Sequence, residues 1–366
     1  MFKGTKVFIT GHTGFKGAWL TLWLKKLGAT VTGYSLPPTT EPSLFNLARV
    51  EEGITHLNGD IRDYAHLQQA IQQAKPDLIF HLAAQSIVLE SYETPKETFD
   101  VNAGGVVNLL EAVRHLPSVK GVVIVTTDKC YENKEWIWGY RENDRLGGND
   151  PYSASKAMAE LVAHSYRVSF FNTEESPAIA TVRAGNVIGG GDFSAHRIVP
   201  DAMRALMEGR PIQVRNPASI RPWLHVLDPL HGYLLLGKKM LDGKHAYAEA
   251  WNFGPQETAG VTVEQLVDKI VSGWERAKWM LAPGGAAKPE MHTLRLNWDK
   301  AAQRLHWKPQ LNWEQALELT VEWYQGYMQE QDLQELCLDQ IDYYSVMSEA
   351  KRFLQVKPSC GSGGCR

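Results

Sequence analysis

The chain lacks the features that would mark it for an oxidising compartment, a membrane or a polyanion. It has four cysteines in 366 residues, Cys130, Cys337, Cys360 and Cys365. They are too scattered to form a disulfide framework in so long a chain, and reduced thiols in a cytoplasmic protein fit them best. The last two bracket Cys360-Gly-Ser-Gly-Gly-Cys365, which reads as a glycine-rich flexible end before it reads as an oxidised loop or a soft-metal site. No apolar run approaches the ~20 residues needed to cross a bilayer. The N-terminus does not read as a secretion signal either, because Lys3, Lys6 and the short run "VFIT" lead straight into a glycine loop. Net charge is only −3. No strong field is present to recruit nucleic acid or anionic lipid, so an anionic ligand would need a local site.

What the chain does have is the 44% hydrophobic and 22% charged balance of a globular protein. Its first half alternates β-branched runs with helical patterns. Strands are expected at 6–10, 29–35, 54–60, 77–84, 120–127 and 178–187. Helices are expected at 16–28 (amphipathic, closed by Gly28), 64–75, about 95–115 and about 151–171. Strands alternating with helices require right-handed crossovers and a parallel sheet covered on both faces. The expected fold class is therefore α/β, a Rossmann-type doubly wound parallel sheet. Beyond residue 187 the rhythm breaks into loops with helices at 226–241, 262–273, 299–306 and 313–329. The expected division is 1–187 for the dinucleotide domain and 188–330 mainly for a smaller, mixed substrate-binding region, some segments of which return to the first domain. Residues 331–366 are read as a C-terminal helix near 332–353 and a flexible tail.

"ITGHTGFKGAWL" places Gly11, Gly14 and Gly17 between the first strand and the first helix. Glycines there permit a tight turn and close backbone approach, and the helix N-terminus then faces a pyrophosphate. Taken alone the triplet marks a sharp turn; its position at the start of a doubly wound sheet points to a dinucleotide. A second-strand acid for NAD or an arginine for NADP is missing, since "GYSLPP" offers neither, and the absence of a basic residue leans toward NAD. Asp60, after the third strand, suits either an adenine edge or a turn and helix cap.

"NDPYSASKAMAEL" holds Tyr152 and Lys156 one helical turn apart, which puts a phenol and an ammonium on one face. A cation beside the phenol would lower its pKa, so that tyrosinate takes a hydroxyl proton as hydride leaves carbon. An ordinary surface pair has the same spacing. The glycine loop and Thr127, at the end of an upstream strand, favour the chemical reading.

Together with "HLAAQ" (81–85) and Asn102, these residues make the chain resemble the extended short-chain dehydrogenase/reductase family from residue 5 to about 328. That resemblance implies a tightly held NAD, a nucleotide-sugar substrate and Thr127, Tyr152 and Lys156 as the catalytic trio. It implies cofactor contacts from Gly11, His12, Thr13, Gly14, Phe15, Lys16 and Gly17, and from Tyr34, Ser35, Asp60 and Ile61. Leu82, Ala83, Ala84, Asn102, Thr126, Tyr152 and Lys156 complete that set. Nucleotide-sugar 4,6-dehydratases of the family usually carry Thr-Asp-Glu where this chain has Thr127-Asp128-Lys129. With "GHTGFKGAWL", "GYSLPP", "TTDKCY" and "RPWLHVLD", the lysine makes the chain similar to the subgroup acting on CDP-glucose, which serves dideoxysugar and O-antigen biosynthesis. In that subgroup lysine is the expected residue. The resemblance also implies a homodimer through the helices near 95–115 and 151–171.

The implied reaction oxidises C4, eliminates water across C5 and C6 and returns hydride to C6. It needs an acid and a base near neighbouring carbons, and Asp128 and Lys129 are the candidates. Neighbours on an extended strand point to opposite faces, so the strand must end there for both to face a sugar. Lys129 as C5 base must be neutral and Asp128 as acid protonated, and their mutual attraction opposes both states. Lys129 is read first as the base, with enolate stabilisation and a plain salt bridge as alternatives. Substrate contacts are expected from Gln85, Ser86, Asn186, Arg197, Arg221 and His225, with Arg183 and Arg204 as weaker candidates. Asn186 and Arg221 are assigned to the diphosphate by the resemblance, and arginine's planar fork suits phosphate oxygens. His225 and Asp228 either orient that loop or cap the next helix. Among twelve tryptophans, Trp136, Trp138 and Trp223 lie on expected loops, either in the core or lining a sugar or base pocket.

Overall fold

The computed structural model describes residues 1–256, 260–283 and 294–355. The expectations for the Cys360–Cys365 tail and for most of the loop 282–290 lie outside the described residues. The first strands are β1 (Lys6–Thr10), β2 (Thr30–Ser35), β3 (Thr55–Asn58), β4 (Leu78–His81), β5 (Gly121–Val125) and β6 (Ala178–Ala184). Four short strands follow, β7 (Asn186–Ile188), β8 (Ile212–Val214), β9 (Ile220–Arg221) and β10 (Trp223–His225). The last three are β11 (Ala250–Phe253), β12 (Val261–Thr262) and β13 (Trp279–Leu281). The main sheet has seven strands in the order β11-β6-β5-β4-β1-β2-β3, and every pairing in it is parallel. The order reverses between β1 and β4, and their C-terminal ends frame the crevice where doubly wound sheets bind ligands.

The helices of the first half are α1 (Phe15–Lys26), α2 (Leu44–Leu47), α3 (Tyr64–Ala74), α4 (Val88–Glu93), α5 (Pro95–Phe99), α6 (Gly105–Arg114) and α7 (Pro151–Ser169). Those of the second half are α8 (Ile198–Met207), α9 (Leu227–Leu241), α10 (Val263–Ser272), α11 (Trp313–Met328) and α12 (Leu333–Gln355). Alternate strand residues enter opposite layers. Val7 and Ile9 of β1 join Trp19, Leu234, Trp251 and Trp323 on one face. Phe8 joins Tyr34, Leu109, Ile124 and Ile179 on the other. This period of two, with both faces apolar, is what a sheet covered by helices requires.

Four local readings change. The helix expected as amphipathic at 16–28 is α1, whose residues Gly17 to Leu24 are all buried, because α9 and α12 cover the side away from the sheet. The long helix expected at 95–115 is divided by a π-helical stretch, Asp100–Gly104. The strand expected at 178–187 breaks at Gly185 into β6 and β7, and β7 pairs with β10 instead of the main sheet. The seventh strand, β11, comes from the loop-rich second half, where no strand pattern stands out, and pairs with β6. Asp228 explains how the C-terminal helix is held: its Oδ1 accepts from Gln310 N at 2.6 Å and from Tyr344 Oη, on α12, at 2.7 Å.

Candidate active site

The glycine loop leaves β1 with Gly11 at φ 78°, and a Cβ there would lie 2.6 Å from Ala83 N. A Cβ on Gly17 would lie 2.1 Å from Gly11 O, whereas one on Gly14 would meet nothing closer than 3.5 Å. Gly11 and Gly17 therefore let backbone pack on backbone, and Gly14 leaves an open face. Gly14 is also the N-cap of α1 and offers no side-chain cap, so the amides of the helix's first turn point to a ligand space. That cradle fits a pyrophosphate.

The other residues expected at a dinucleotide divide into those around the cradle and those that shape it. Thr13 Oγ1 donates to Leu36 O at 2.9 Å and lies 2.8 Å from Ser35 Oγ, which ties the loop to the end of β2. His12 is buried against Gly33, and its Nε2 lies 2.7 Å from His56 Nδ1. Burial first, then His56, brings His12 down to about 4, so the ring is neutral near pH 7. Asp60 chelates Arg62 through both oxygens and accepts Arg62 N at 2.9 Å. Of its two readings, the turn residue is the one these bonds describe. Tyr34 is buried and donates to Asp60 O at 2.9 Å, and Ile61 packs beside Gly105. Leu82, Ala83 and Ala84 are half-buried along the crevice. Asn102, in the π-helical stretch, uses its amide within the protein: Nδ2 donates to Gln85 O and Ser155 Oγ, both at 2.9 Å, and Oδ1 accepts from Gln85 N at 2.9 Å. Asn102 thus fixes the loop after β4 against α7, and π-turns often mark such sites.

The residues expected to react meet at the end of β5. Thr127 caps a 3-10 turn, Asp128–Cys130, so the strand does end where Asp128 and Lys129 must share a side. Thr127 Oγ1 donates to Asp128 Oδ1 at 3.0 Å. Asp128 is 1% exposed, and its Oδ2 has no hydrogen-bond partner within the protein, a costly state for a buried carboxylate oxygen that a bound group or a proton would relieve. Lys129 Nζ lies 3.6 Å from Asp128 Oδ1 and 3.4 Å from Asn186 Oδ1. Asp150 caps α7 through Ser153 N, and Pro151 starts the helix. Tyr152 N donates to Ser91 Oγ at 3.2 Å and Lys156 Nζ to Val125 O at 3.3 Å.

Electrostatics in this cleft favour an anion. Burial drives the Tyr152 phenol up to about 12, opposed by Thr127 and Arg197. The groups working against burial are thus a hydroxyl and an arginine, where spacing alone suggested Lys156. Burial lowers Lys156 to about 8, with Glu160 and Cys130 holding it up. Burial lowers Lys16 to about 7, helped by Arg197 and Lys156 and opposed by Asp128 and Asp192. Lys16, depressed by the two cations Arg197 and Lys156, marks a concentration of positive charge suited to phosphate groups.

The expected substrate contacts separate in the same way. Arg197 Nη1 pairs with Asp192 Oδ2 at 2.9 Å and its Nη2 donates to Ser86 Oγ at 3.2 Å, spanning the crevice. With Asn186 beside Lys129, these three residues border the reacting groups. Gln85 folds its amide onto Ile87, with Nε2 donating to Ile87 O at 2.9 Å and Oε1 accepting from Ile87 N at 3.1 Å. Arg221 Nη1 donates to Ile220 O at 2.9 Å within β9. His225, expected at the substrate, is fully buried; its Nδ1 accepts from Leu227 N at 3.4 Å. Its geometry is that of a helix cap. Arg183 is consumed by Glu160 at 2.7 Å, and Arg204 by Asp201 and Phe193 O. Trp223 is core, donating to Val261 O at 3.3 Å, while Trp136 stacks on Tyr140 with Trp138 at its edge.

Some residues around the site gave no signal of their own in the sequence. Ser91, Ser155 and the buried Glu160 act through partners far along the chain, and Asp192 through Arg197, five residues on. Glu160 had one visible mark, its place one turn beyond Lys156. Among the described residues, no group of three or more His, Cys, Asp or Glu side chains is placed to hold a metal ion, and no helix is long and apolar enough to cross a membrane.

Comparison with known proteins points to one family. Residues 8–320 match the family described as GDP-mannose 4,6 dehydratase. A CDP-glucose 4,6-dehydratase of Salmonella typhimurium is 45% identical over 337 residues, covering 91% of this chain and 94% of the relative. A dTDP-glucose 4,6-dehydratase of Xanthomonas campestris is 27% identical over 341 residues, covering 86% and 92%. Among solved structures, a dTDP-glucose 4,6-dehydratase from Bacillus anthracis in complex with NAD superposes with a TM-score of 0.73 at 22% identity, covering 90% of this chain and all of the other. At this identity the structural likeness speaks for the fold.

Proposed function

We propose that this chain, which belongs to the GDP-mannose 4,6 dehydratase family, is an NAD-dependent hydro-lyase that converts CDP-glucose to CDP-4-dehydro-6-deoxy-glucose. The identity of 45% to a CDP-glucose 4,6-dehydratase supports the substrate. The observation that carries the reaction class is the unpartnered Oδ2 of Asp128 beside Lys129, on the turn that also holds Thr127. Epimerisation at C4 needs only a hydroxyl acid/base and a hydride carrier. Elimination needs a second acid/base pair, and this turn supplies one.

Gly11, Gly14 and Gly17 with the first turn of α1 would hold the pyrophosphate of NAD, which when bound would supply a reversible hydride acceptor for the sugar. Tyr152, oriented through Ser91 and Thr127, acts as tyrosinate and takes the C4 hydroxyl proton, and Lys156 offsets the phenolate charge that exists before that transfer. The C4 ketone acidifies C5–H. Lys129 removes that proton while Asp128 protonates the departing C6 hydroxyl, so water leaves and no net redox change remains. Arg197, Ser86 and Asn186 position the sugar diphosphate. Gln85 shapes the loop that presents Ser86, and Arg221 serves the outer phosphate. The product, a 4-keto-6-deoxy sugar nucleotide, is an intermediate suited to cytoplasmic dideoxysugar synthesis for O-antigen. The assembly is a homodimer formed through the exposed apolar side chains Met158, Leu161 and Val168 of α7 and Val107 of α6.

Incubation with CDP-glucose and NAD, followed by mass spectrometry of the sugar nucleotide, tests the reading. Loss of one water is expected. Unchanged mass with a new stereoisomer would mean an epimerase, and no turnover of any sugar nucleotide would leave a cofactor-binding protein without catalysis.

A further inference from the structure

Below the reacting groups lies a cluster of buried charge that the mechanism above does not use. Tyr152, Lys156 and Glu160 recur every fourth residue along α7 and so share one face. Glu160 is 3% exposed. One carboxylate oxygen accepts from Thr126 Oγ1 at 2.5 Å and Arg183 Nε at 2.9 Å. The other accepts from Thr181 Oγ1 at 2.6 Å and Arg183 Nη2 at 2.7 Å. Arg183 is fixed in turn, with Nη1 donating to Tyr131 Oη at 2.6 Å and Glu142 O at 3.1 Å, and its guanidinium carbon 4.9 Å from the centre of the Tyr131 ring.

A pair this deep is a poor device for stability, because desolvation costs several kcal/mol per ion and apolar replacements often do as well. Its position suggests another use. Thr126 precedes Thr127, so the bond from Thr126 to Glu160 holds the strand end from which Thr127, Asp128 and Lys129 depart. Lys156 Nζ donates to Val125 O on the same strand end, at 3.3 Å.

We propose that Glu160, clamped by Arg183, is a positioning residue for the dehydration: its carboxylate charge keeps Lys156 an ammonium, and its bond to Thr126 sets the strand end that presents Thr127 to Tyr152. The inference rests on the catalytic reading of Tyr152 and Lys156 given above.

The charges around Lys156 leave Glu160 as its fixed anion. Burial opposes ionisation of Glu160, but Arg183 and the hydroxyls of Thr126 and Thr181 outweigh it and hold the group below the usual carboxylate range. Cys130, on the turn after β5, is pushed up by burial and stays a neutral thiol. His81 on β4 is brought down to about 3 by burial and Lys156, and is neutral. Lys16 on α1 repels Lys156. On its own helix, burial raises the Tyr152 phenol to about 12, so in the ligand-free site it adds no anion beside Lys156. Arg183 on β6 and Arg167 further along α7 both feel Glu160. Ser91 and Asn102, from α4 and the π-helical stretch, meet this side of α7 as neutral groups.

Three variants separate positioning from scaffolding. Glu160→Gln keeps the shape and the acceptor for Thr126 but removes the charge. Glu160→Gln combined with Arg183→Met removes both charges and leaves neither buried alone, so it carries the test if the single variant does not fold. Glu160→Asp keeps the charge. The alkaline limb of kcat, placed near pH 8 by Lys156, should move to lower pH by about one pH unit or more in both charge-free variants and stay in place with aspartate. In cofactor-free protein carrying 13C-labelled lysine Cε, the Lys156 signal, assigned through Lys156→Met, should titrate at the same lowered pH. Folded charge-free variants whose limb and Lys156 titration coincide with the wild type would overturn the inference. Failure of the wild type to dehydrate CDP-glucose would instead refute the functional reading, and the lysine titration would still decide the role of Glu160.

Discussion

Replacing Lys129 by methionine separates the two demands made on this residue, stability and proton removal. Its amine lies 3.6 Å from Asp128 Oδ1 and 3.4 Å from Asn186 Oδ1, with 29% of the side chain exposed. Solvent screening at that exposure limits such a pair to about 0–1 kcal/mol. In a chain of this length that is a Tm change of no more than about 4 °C, and NAD affinity should be unchanged, because the glycine loop does not touch Lys129. Loss of a general base costs about 10²–10⁴-fold, and water loss should fall by that factor. The decisive assay is uptake of solvent deuterium at C5 of the sugar in D2O, followed by mass spectrometry. Uptake should fall with water loss, and a small primary amine should restore both. Methylguanidinium, which carries charge but does not give up a proton near neutral pH, should restore neither. Uptake persisting near the wild-type rate would show that Lys129 is not the C5 base. Rescue by methylguanidinium equal to that by the amine would make Lys129 an electrostatic stabiliser.

Other expectations test separate parts of the structure. Gly17→Ala puts a methyl 2.1 Å from Gly11 O, an overlap that only backbone movement relieves; calorimetry should show NAD binding lost and Tm lowered by at least about 1–3 kcal/mol of destabilisation. His12, His81 and His225 sit at about 4, 3 and 3, with burial as the first cause in each. The unfolded chain, near 6.5, therefore binds protons the native state refuses, and stability is lost as pH falls from about 6.5 toward those values. At pH 5 each histidine costs about 2 kcal/mol relative to pH 7.5, and His225→Gln should flatten the acid side of the Tm profile by about one proton's worth. Leu161→Arg places a charge on an α7 side chain that is 57% exposed; sedimentation should shift from dimer to monomer with an unchanged circular dichroism spectrum, and an unaltered dimer would remove α7 from the interface.

The parts of the fold that were legible in the sequence are those where local pattern and global packing ask for the same residues. β1 and β5 are apolar on both faces because helices cover both, so their β-branched runs stand out. Gly11, Gly14 and Gly17 are readable because backbone contact tolerates no other residue at two of the three. β11 was not legible: "AWNF" is four residues long and owes its place to β6, which lies more than sixty residues earlier in the chain. The π-helical stretch was hidden for the opposite reason, since Asp100–Gly104 carries an ordinary helical pattern, and the side-chain bonds of Asn102 to Gln85 and Ser155 connect residues far apart in the chain.

The site follows the same division. Tyr152 and Lys156 stand out by their spacing, whereas Thr126, Arg183 and Arg197 are brought to them only by the fold. Arg197 reaches Ser86 across 111 positions and Thr126 reaches Glu160 across 34, distances at which no periodicity survives. Spacing could therefore pair Tyr152 with Lys156, and Lys156 with Glu160 one turn further on, but could not show that Thr127 and Arg197 oppose burial at the phenol or that Arg183 holds Glu160 ionised. The Asp128–Lys129 pair is the limiting case. Adjacency in sequence says that the two side chains diverge on a strand, and only the 3-10 turn begun by Thr127 turns them to one side. If consecutive residues are to supply an acid and a base at neighbouring carbons, the strand must stop before Asp128; β5 ends at Val125, and the next residue, Thr126, is tied through its Oγ1 to Glu160.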